Sequence, residues 1–304
     1  MTATALVLSL LLMSGCASPE IPPWFDAIKR HPMRVATVYG DRIAYLDIGE
    51  GPPVILIHGF GGSMWQWEYQ DALADRLRLI VVDMPGSGYS DKPDIAYTPD
   101  EVLARFVAFM DAIGLAKASL VGNSLGGGVA EGMAIRHPER VDRLVLISGL
   151  PDHVRDRLKS RTIRRALDTH LPVWIVTIGN WFAGRSVTRK VLQEVVYDHS
   201  LLTPAVLDRS YQNRKQPGVI APLLAMGRNL PLWEEDLATK IGTIRHPTLI
   251  LWGDKDEIFP PDVGHALHAQ ITGSRLEIVP NAGHIPQWER PDIVNPLLRA
   301  FLSP

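Results

Sequence analysis

Hydrophobic positions along the chain follow two rhythms. Two short alternating runs, Arg34–Tyr39 and Arg42–Ile48, flank Gly40-Asp41 and predict a β-hairpin. Short runs at Val54–Ile57, Leu79–Val82, Ser119–Val121, Leu144–Ile147, Thr248–Trp252 and Leu276–Val279 predict strands, most of them apolar enough to be covered on both faces. Helical spacing falls between them, at Trp65–Arg76, Pro99–Ile113, Ser124 to about Arg136, Asp262–Ala269 and Pro291–Leu302. Thr98 is placed to cap the second of these, and Pro138 to stop the third. Strands alternating with helices predict an α/β fold with a mostly parallel, doubly wound sheet.

The alternation stops near Leu150 and resumes near 236. Residues 151–235 carry helical pieces and prolines but no clear strand. The simplest plan is one core built from 34–150 and 236–304, interrupted by a helical insertion over 151–235. Two stretches of the insertion stand out. One, Arg155–Arg165, is crowded with Arg and Lys; the other, Leu171–Phe182, is almost wholly apolar and far too short to span a bilayer.

Composition narrows the partners. The 304 residues are 46% hydrophobic and 21% charged, with a formal net charge of −2, so no global attraction to nucleic acid is expected. One Cys allows neither an internal disulfide nor a cysteine zinc site. Its position matters more than its number. Residues 1–15 have a short apolar run, Ala5–Met13, that fits a signal peptide rather than a membrane span. Met13-Ser14-Gly15-Cys16 resembles a bacterial lipobox, which implies lipidation at Cys16 and a proline-rich tether over 16–33. The expected location is the cell envelope, on the outer membrane, through that anchor. Plain secretion or a periplasmic location is the alternative. Nothing in the chain specifies an oligomeric state.

The chemistry centres on Gly122-Asn123-Ser124-Leu125-Gly126, a G-x-S-x-G between a predicted strand and a predicted helix. A chain turning that sharply presents the Ser hydroxyl outward and leaves no room for side chains at 122 and 126. A serine nucleophile needs a base. His284 follows a strand candidate, in a loop that can reach the turn. His31, His137 and His246 each precede Pro, and His265 and His268 lie on a predicted helix with no third metal ligand, so no metal site is expected. The base needs an acid to orient it. Asp254 and Asp256 both follow the Thr248–Trp252 strand; the pattern W-G-x-x-D favours Asp256, and Asp152 is a distant third. The oxyanion donors are expected at the backbone N–H groups of Leu125 and Phe60, the latter in the Gly-rich loop after Val54–Ile57. His58 is read as a structural hydrogen-bonding residue. This chemistry calls for no cofactor.

Together, His58-Gly59-Phe60-Gly61-Gly62, Asp83-Met84-Pro85-Gly86-Ser87-Gly88-Tyr89-Ser90, Gly122–Gly126, Trp252–Asp256 and Gly283-His284 resemble the α/β-hydrolase superfamily. The order Ser, Asp, His is that of this superfamily. With the lipobox, the chain is similar to bacterial lipoprotein lipases and esterases. That resemblance implies a small-molecule or lipid ester as substrate, cleaved through an acyl-enzyme. The GNSLGG turn and Gly283–Glu289 are also similar to hydrolases that cleave carbon–carbon bonds in meta-cleavage products. Ser124 separates the chain from dehalogenases and soluble epoxide hydrolases, which use Asp there. A catalytically inactive binding protein on the same fold is the remaining alternative. The resemblance further implies that 151–235 is a cap over the site. Trp174 and Trp181, in its apolar stretch, are read as pocket lining, with packing inside the cap as the alternative; Trp65, just after the oxyanion loop, fits the pocket wall or the core equally.

Overall fold

A computed structural model describes residues 30–303. Cys16, the expected signal peptide and most of the expected tether lie outside the described residues.

Eight strands form one sheet in the order β1-β2-β4-β3-β5-β6-β7-β8. β1 (Arg34–Val38) and β2 (Asp41–Ile48) are the hairpin, and β2 runs antiparallel to β4 (Arg78–Val82). All other pairings are parallel, through β3 (Pro53–Ile57), β5 (Ala118–Asn123), β6 (Val141–Ile147), β7 (Thr248–Gly253) and β8 (Arg275–Val279). The inner strands are buried on both faces, which is why they read as unbroken apolar runs rather than alternating ones. Two apolar cores follow, one on each face of the sheet.

Helices α1 (Pro99–Ala112) and α2 (Leu125–Arg136) contribute to the first core. Thr98 closes a full capping box with Glu101 at the start of α1. The expected helix over Trp65–Arg76 is instead two short 3-10 turns, Met64–Trp67 and Gln70–Leu73. The first buries all four of its residues, so no side is left for solvent and the segment follows its packing rather than a helical repeat.

Between β6 and β7 lie seven α-helices, two short 3-10 helices and no strand among the described residues. The α-helices are α3 (Val154–Arg157), α4 (Arg161–Leu167), α5 (Val173–Phe182), α6 (Arg185–Val195), α7 (Pro204–Lys215), α8 (Ile220–Arg228) and α9 (Leu230–Asp236). Leu158, Leu167 and Leu230 join the first core, while Leu192, Val196 and Leu207 join the second. The chain ends with α10 (Pro261–Gln270), α11 (Pro286–Glu289) and α12 (Pro291–Leu302).

Candidate active site

The central strand β5 ends in Asn123, and α2 begins at Leu125. Ser124 alone makes the corner, with φ 53° and ψ −118°, a region that costs a non-glycine residue about 1–3 kcal/mol. The surroundings hold it there. Its N–H donates to the Ile147 carbonyl at 2.9 Å. The Asn123 amide spans the neighbouring loops, donating to Ile147 O at 3.1 Å and to His284 O at 3.0 Å. A Cβ at Gly122 would lie 2.1 Å from the Gly126 carbonyl oxygen, and one at Gly126 would lie 2.2 Å from that of Ile57. Glycine at both positions is therefore steric necessity.

His284 and Asp256 sit in loops after β8 and β7. His284 Nδ1 is 2.8 Å from Asp256 Oδ2, and the Asp256 side chain is fully buried. Asp256 Oδ1 accepts from the N–H groups of Ile258 at 2.8 Å and Phe259 at 2.9 Å. These hydrogen bonds fix the direction of the carboxylate. With Nδ1 so engaged, His284 has Nε2 left to exchange a proton. Asp254 points elsewhere: it accepts from Ala282 N and pairs with Lys255 at 3.0 Å. Asp152 pairs with Arg157 at 3.0 Å.

Ser124, His284, Leu125 and Phe60 line one cavity, which opens to solvent. Leu125 is the first residue of a twelve-residue helix, whose first-turn N–H groups have no partner within the helix. The loop carrying Phe60 lies close against the corner: a Cβ on Gly59 would be 3.2 Å from Ser124 Cβ. Gln66 Oε1 accepts from Gly59 N at 3.0 Å and holds that loop.

His58 serves this loop from behind. Met84 N donates to its Nε2 at 3.1 Å, so Nδ1 carries the proton and donates to Gly59 O at 2.8 Å. Burial pushes its pKa down, which keeps the ring neutral. Asp83 is buried beside it, raised by burial, and accepts from Met64 N at 2.6 Å and Tyr89 N at 2.7 Å. Sequence patterns marked the His58 and Asp83 segments without revealing that they brace each other's loops.

Three further residues escaped the sequence reading. Glu289 Oε1 accepts from Gly283 N at 2.8 Å, and its Oε2 from Tyr197 N at 2.7 Å and Asp198 N at 3.2 Å. Burial pushes this carboxyl up to about 7 despite those donors. Val195 O accepts from His284 N at 2.8 Å. Arg209, on α7, is buried, pairs with Glu68 at 2.7 Å and stacks over Trp65, while its Nε and Nη2 have no partner among the described residues. None of these contacts leaves a periodic trace in the chain; apart from Gly283 with Glu289, each joins segments about 80 residues or more apart.

The pocket expectation for the three tryptophans is corrected. Trp65 is core: it meets Trp288 edge to face at 6.0 Å and is nearly inaccessible. Trp174 and Trp181 are 64% and 79% exposed on α5, outside the lining of the cavity. The apolar wall comes from other cap residues, among them Leu158, Ile163, Leu167 and Leu230, with Ile258 and Phe259 from the core. An almost wholly apolar stretch does not say which face of α5 meets solvent; that depends on the neighbours it docks against.

Comparison with known proteins agrees with this architecture. A family model described as the alpha/beta hydrolase fold matches residues 52–291. The chain is 30% identical over 271 residues to a 2-hydroxy-6-oxo-6-phenylhexa-2,4-dienoate hydrolase of Burkholderia cepacia, covering 86% of this chain and 91% of that protein. A crystal structure of a meta-cleavage product hydrolase from Pseudomonas fluorescens IP01 superposes with a TM-score of 0.76 at 30% identity, covering 88% of this chain and 96% of that one. A crystal structure of a membrane phospholipase A, described as a bacterial virulence factor, superposes with a TM-score of 0.75 at 25% identity, covering 99% of this chain and 98% of that one. The chain belongs to the α/β-hydrolase family.

Proposed function

We propose that this hydrolase cleaves a carboxylic ester with an apolar acyl group, through an acyl-enzyme on Ser124. The observation that carries this reading is the lining of the Ser124 cavity: beyond His284 it is uncharged and largely aliphatic. Ser124 Oγ attacks the ester carbonyl as His284 Nε2 takes its proton. Asp256 stabilises the imidazolium, and the N–H groups of Leu125 and Phe60 receive the oxyanion. The proton passes to the leaving alcohol. Water then enters, gives its proton to His284 and releases the acid.

A second reading is hydrolysis of a carbon–carbon bond in a carboxylate-bearing diketone. The named relatives weigh toward it, since several are hydrolases of such dienoates or of a muconate semialdehyde. Arg209 is the candidate partner for such a carboxylate: two of its buried guanidinium nitrogens have no partner among the described residues, and it stands outside the lining of the Ser124 cavity, on a helix whose Asn213 donates to Gly61 O in the loop beside Phe60.

The two readings separate in one experiment. Activity is compared on p-nitrophenyl esters of increasing length and on 2-hydroxy-6-oxo-6-phenylhexa-2,4-dienoate, for wild type and Arg209→Gln. The ester reading expects turnover of the esters to exceed that of the dienoate, with Arg209→Gln equally mild or equally harmful on both. Preferential dienoate turnover that Arg209→Gln abolishes establishes the second reading. Equal inactivity of wild type and Ser124→Ala on both substrates removes both. Export and lipid anchoring through Cys16 complete the proposal; loss of membrane attachment in Cys16→Ala is its test.

A further inference from the structure

The cap carries a helix that is held largely at its ends, with Asn180 as its one hydrogen-bonded side-chain anchor to another helix. α5 buries none of its ten residues. Trp174, Ile178, Trp181 and Phe182 recur at the i, i+4, i+7, i+8 spacing of one helix face, and all four are exposed, Phe182 by 84%. Val176 and Asn180 on the opposite face, and Ile175 at the edge of the stripe, are half-buried.

Cations hold the backbone at both ends. Arg228 donates to Leu171 O at 3.0 Å just before the helix. At the other end Arg214 donates to the Asn180 side chain and to Ala183 O, and Lys215 to the carbonyls of Asn180 and Trp181. These contacts suit the negative end of a helix dipole. They also fix the helix so that its aromatic stripe stands outward. Scattered exposed apolar residues are ordinary, but a contiguous stripe with two Trp and a Phe needs a partner.

Charge decides which partner. Residues 171–184 contain no charged side chain. The segments on either side, 155–170 and 185–194, contain nine Lys or Arg against three acidic residues, Asp156, Asp168 and Glu194. Arg185 pairs with Asp208 on α7, but Arg161, Arg165, Arg189 and Lys190 are exposed. Two copies meeting through this stripe would bring like charges together. A surface with an apolar interior and anionic headgroups satisfies both the stripe and the basic flanks. At ten residues α5 is too short to cross a bilayer, so it would lie in the plane of the interface. We infer that α5 is a membrane-docking element that seats its aromatic face in an anionic lipid surface and turns the cap toward it. This inference stands independently of which bond Ser124 cleaves.

The test uses the full chain with the proposed lipidation site removed, so that any docking seen is not that of a lipid anchor. Trp181→Cys in a Cys16→Ser background is labelled with an environment-sensitive fluorophore. Glu50→Cys, in the exposed turn before β3 at the far end of the sheet, is the control site. Vesicles are phosphatidylcholine, alone or with one-third phosphatidylglycerol, and carry brominated acyl chains as quencher. The label at 181 is expected to shift to the blue and be quenched on the anionic vesicles, several-fold more than on neutral ones. The label at 50 is expected to stay unquenched. Replacing Trp174, Ile178 and Phe182 together by Ser should remove the quenching at 181 while hydrolysis of a soluble ester or dienoate stays at the level of the unreplaced protein. A label at 181 that stays in water on vesicle-bound protein overturns the inference. So does equal quenching on neutral and anionic vesicles, or a blue shift without lipid that grows with protein concentration, which would mark pairing of two copies.

Discussion

The backbone N–H of His284 donates to the carbonyl of Val195 across 2.8 Å, so the end of a cap helix holds the loop of the proposed base. Glu289 strengthens the same junction by taking N–H groups from Gly283 on one side and from Tyr197 and Asp198 on the other. The cap therefore does more than cover the cavity. Its exit from α6 sets where the imidazole stands.

Asp256 and Asp254 are two residues apart, yet only Asp256 reaches His284. Asp256→Asn should lower kcat by roughly ten-thousand-fold, since an amide in that place stabilises the wrong tautomer and cannot balance the imidazolium. Asp254→Asn should change kcat by no more than a few-fold. Steady-state kinetics of the two variants decides the assignment, and a larger loss in Asp254→Asn would reverse it.

Glu289 makes the fold sensitive to pH. Its carboxyl lies at about 7 in the folded chain, against an ordinary value of 4.5, with burial as the main cause. Between those values the folded chain holds a proton that the unfolded chain has lost. The stabilisation is complete below about pH 4.5 and is lost as pH rises through 7, by at most about 3 kcal/mol. Glu289→Gln cannot ionise. Urea unfolding across this range should show the stability of wild type relative to the variant falling as pH rises. A flat or rising difference would contradict the buried, proton-holding Glu289.

Trp65 belongs to the core, packed between Trp288 and the Arg209 guanidinium. Trp65→Ala should cost about 3–5 kcal/mol of stability. At a temperature where the variant remains folded, its preference among ester chain lengths should match that of wild type. A variant with unchanged stability and altered chain-length preference would return Trp65 to the pocket wall.

Much of this molecule was legible in the chain because particular constraints leave local traces. Strands buried on both faces produced unbroken apolar runs, and each inner strand stands within a few residues of its predicted bounds. The corner at Ser124 forces glycine at 122 and 126, which made it visible as a motif. Thr98 announced α1 through its own capping chemistry. Contacts between distant segments leave no such trace. Arg209 reads as one basic residue among many until the fold buries it against Glu68. Glu289 reads as one acidic residue of the Gly283–Glu289 stretch until the fold brings Tyr197 and Asp198 against it. The Trp65 turn and α5 failed in opposite directions for the same reason. An apolar run records that something must cover it, not whether the cover is the core, a substrate or another surface.

The central claim is that Ser124 is the nucleophile. A fluorophosphonate probe reacts with an activated serine and leaves a stable adduct that peptide mass mapping can place. A single adduct on Ser124 is expected, absent in Ser124→Ala and strongly slowed in Asp256→Asn. An adduct on another residue, or full hydrolytic activity in Ser124→Ala, would contradict it.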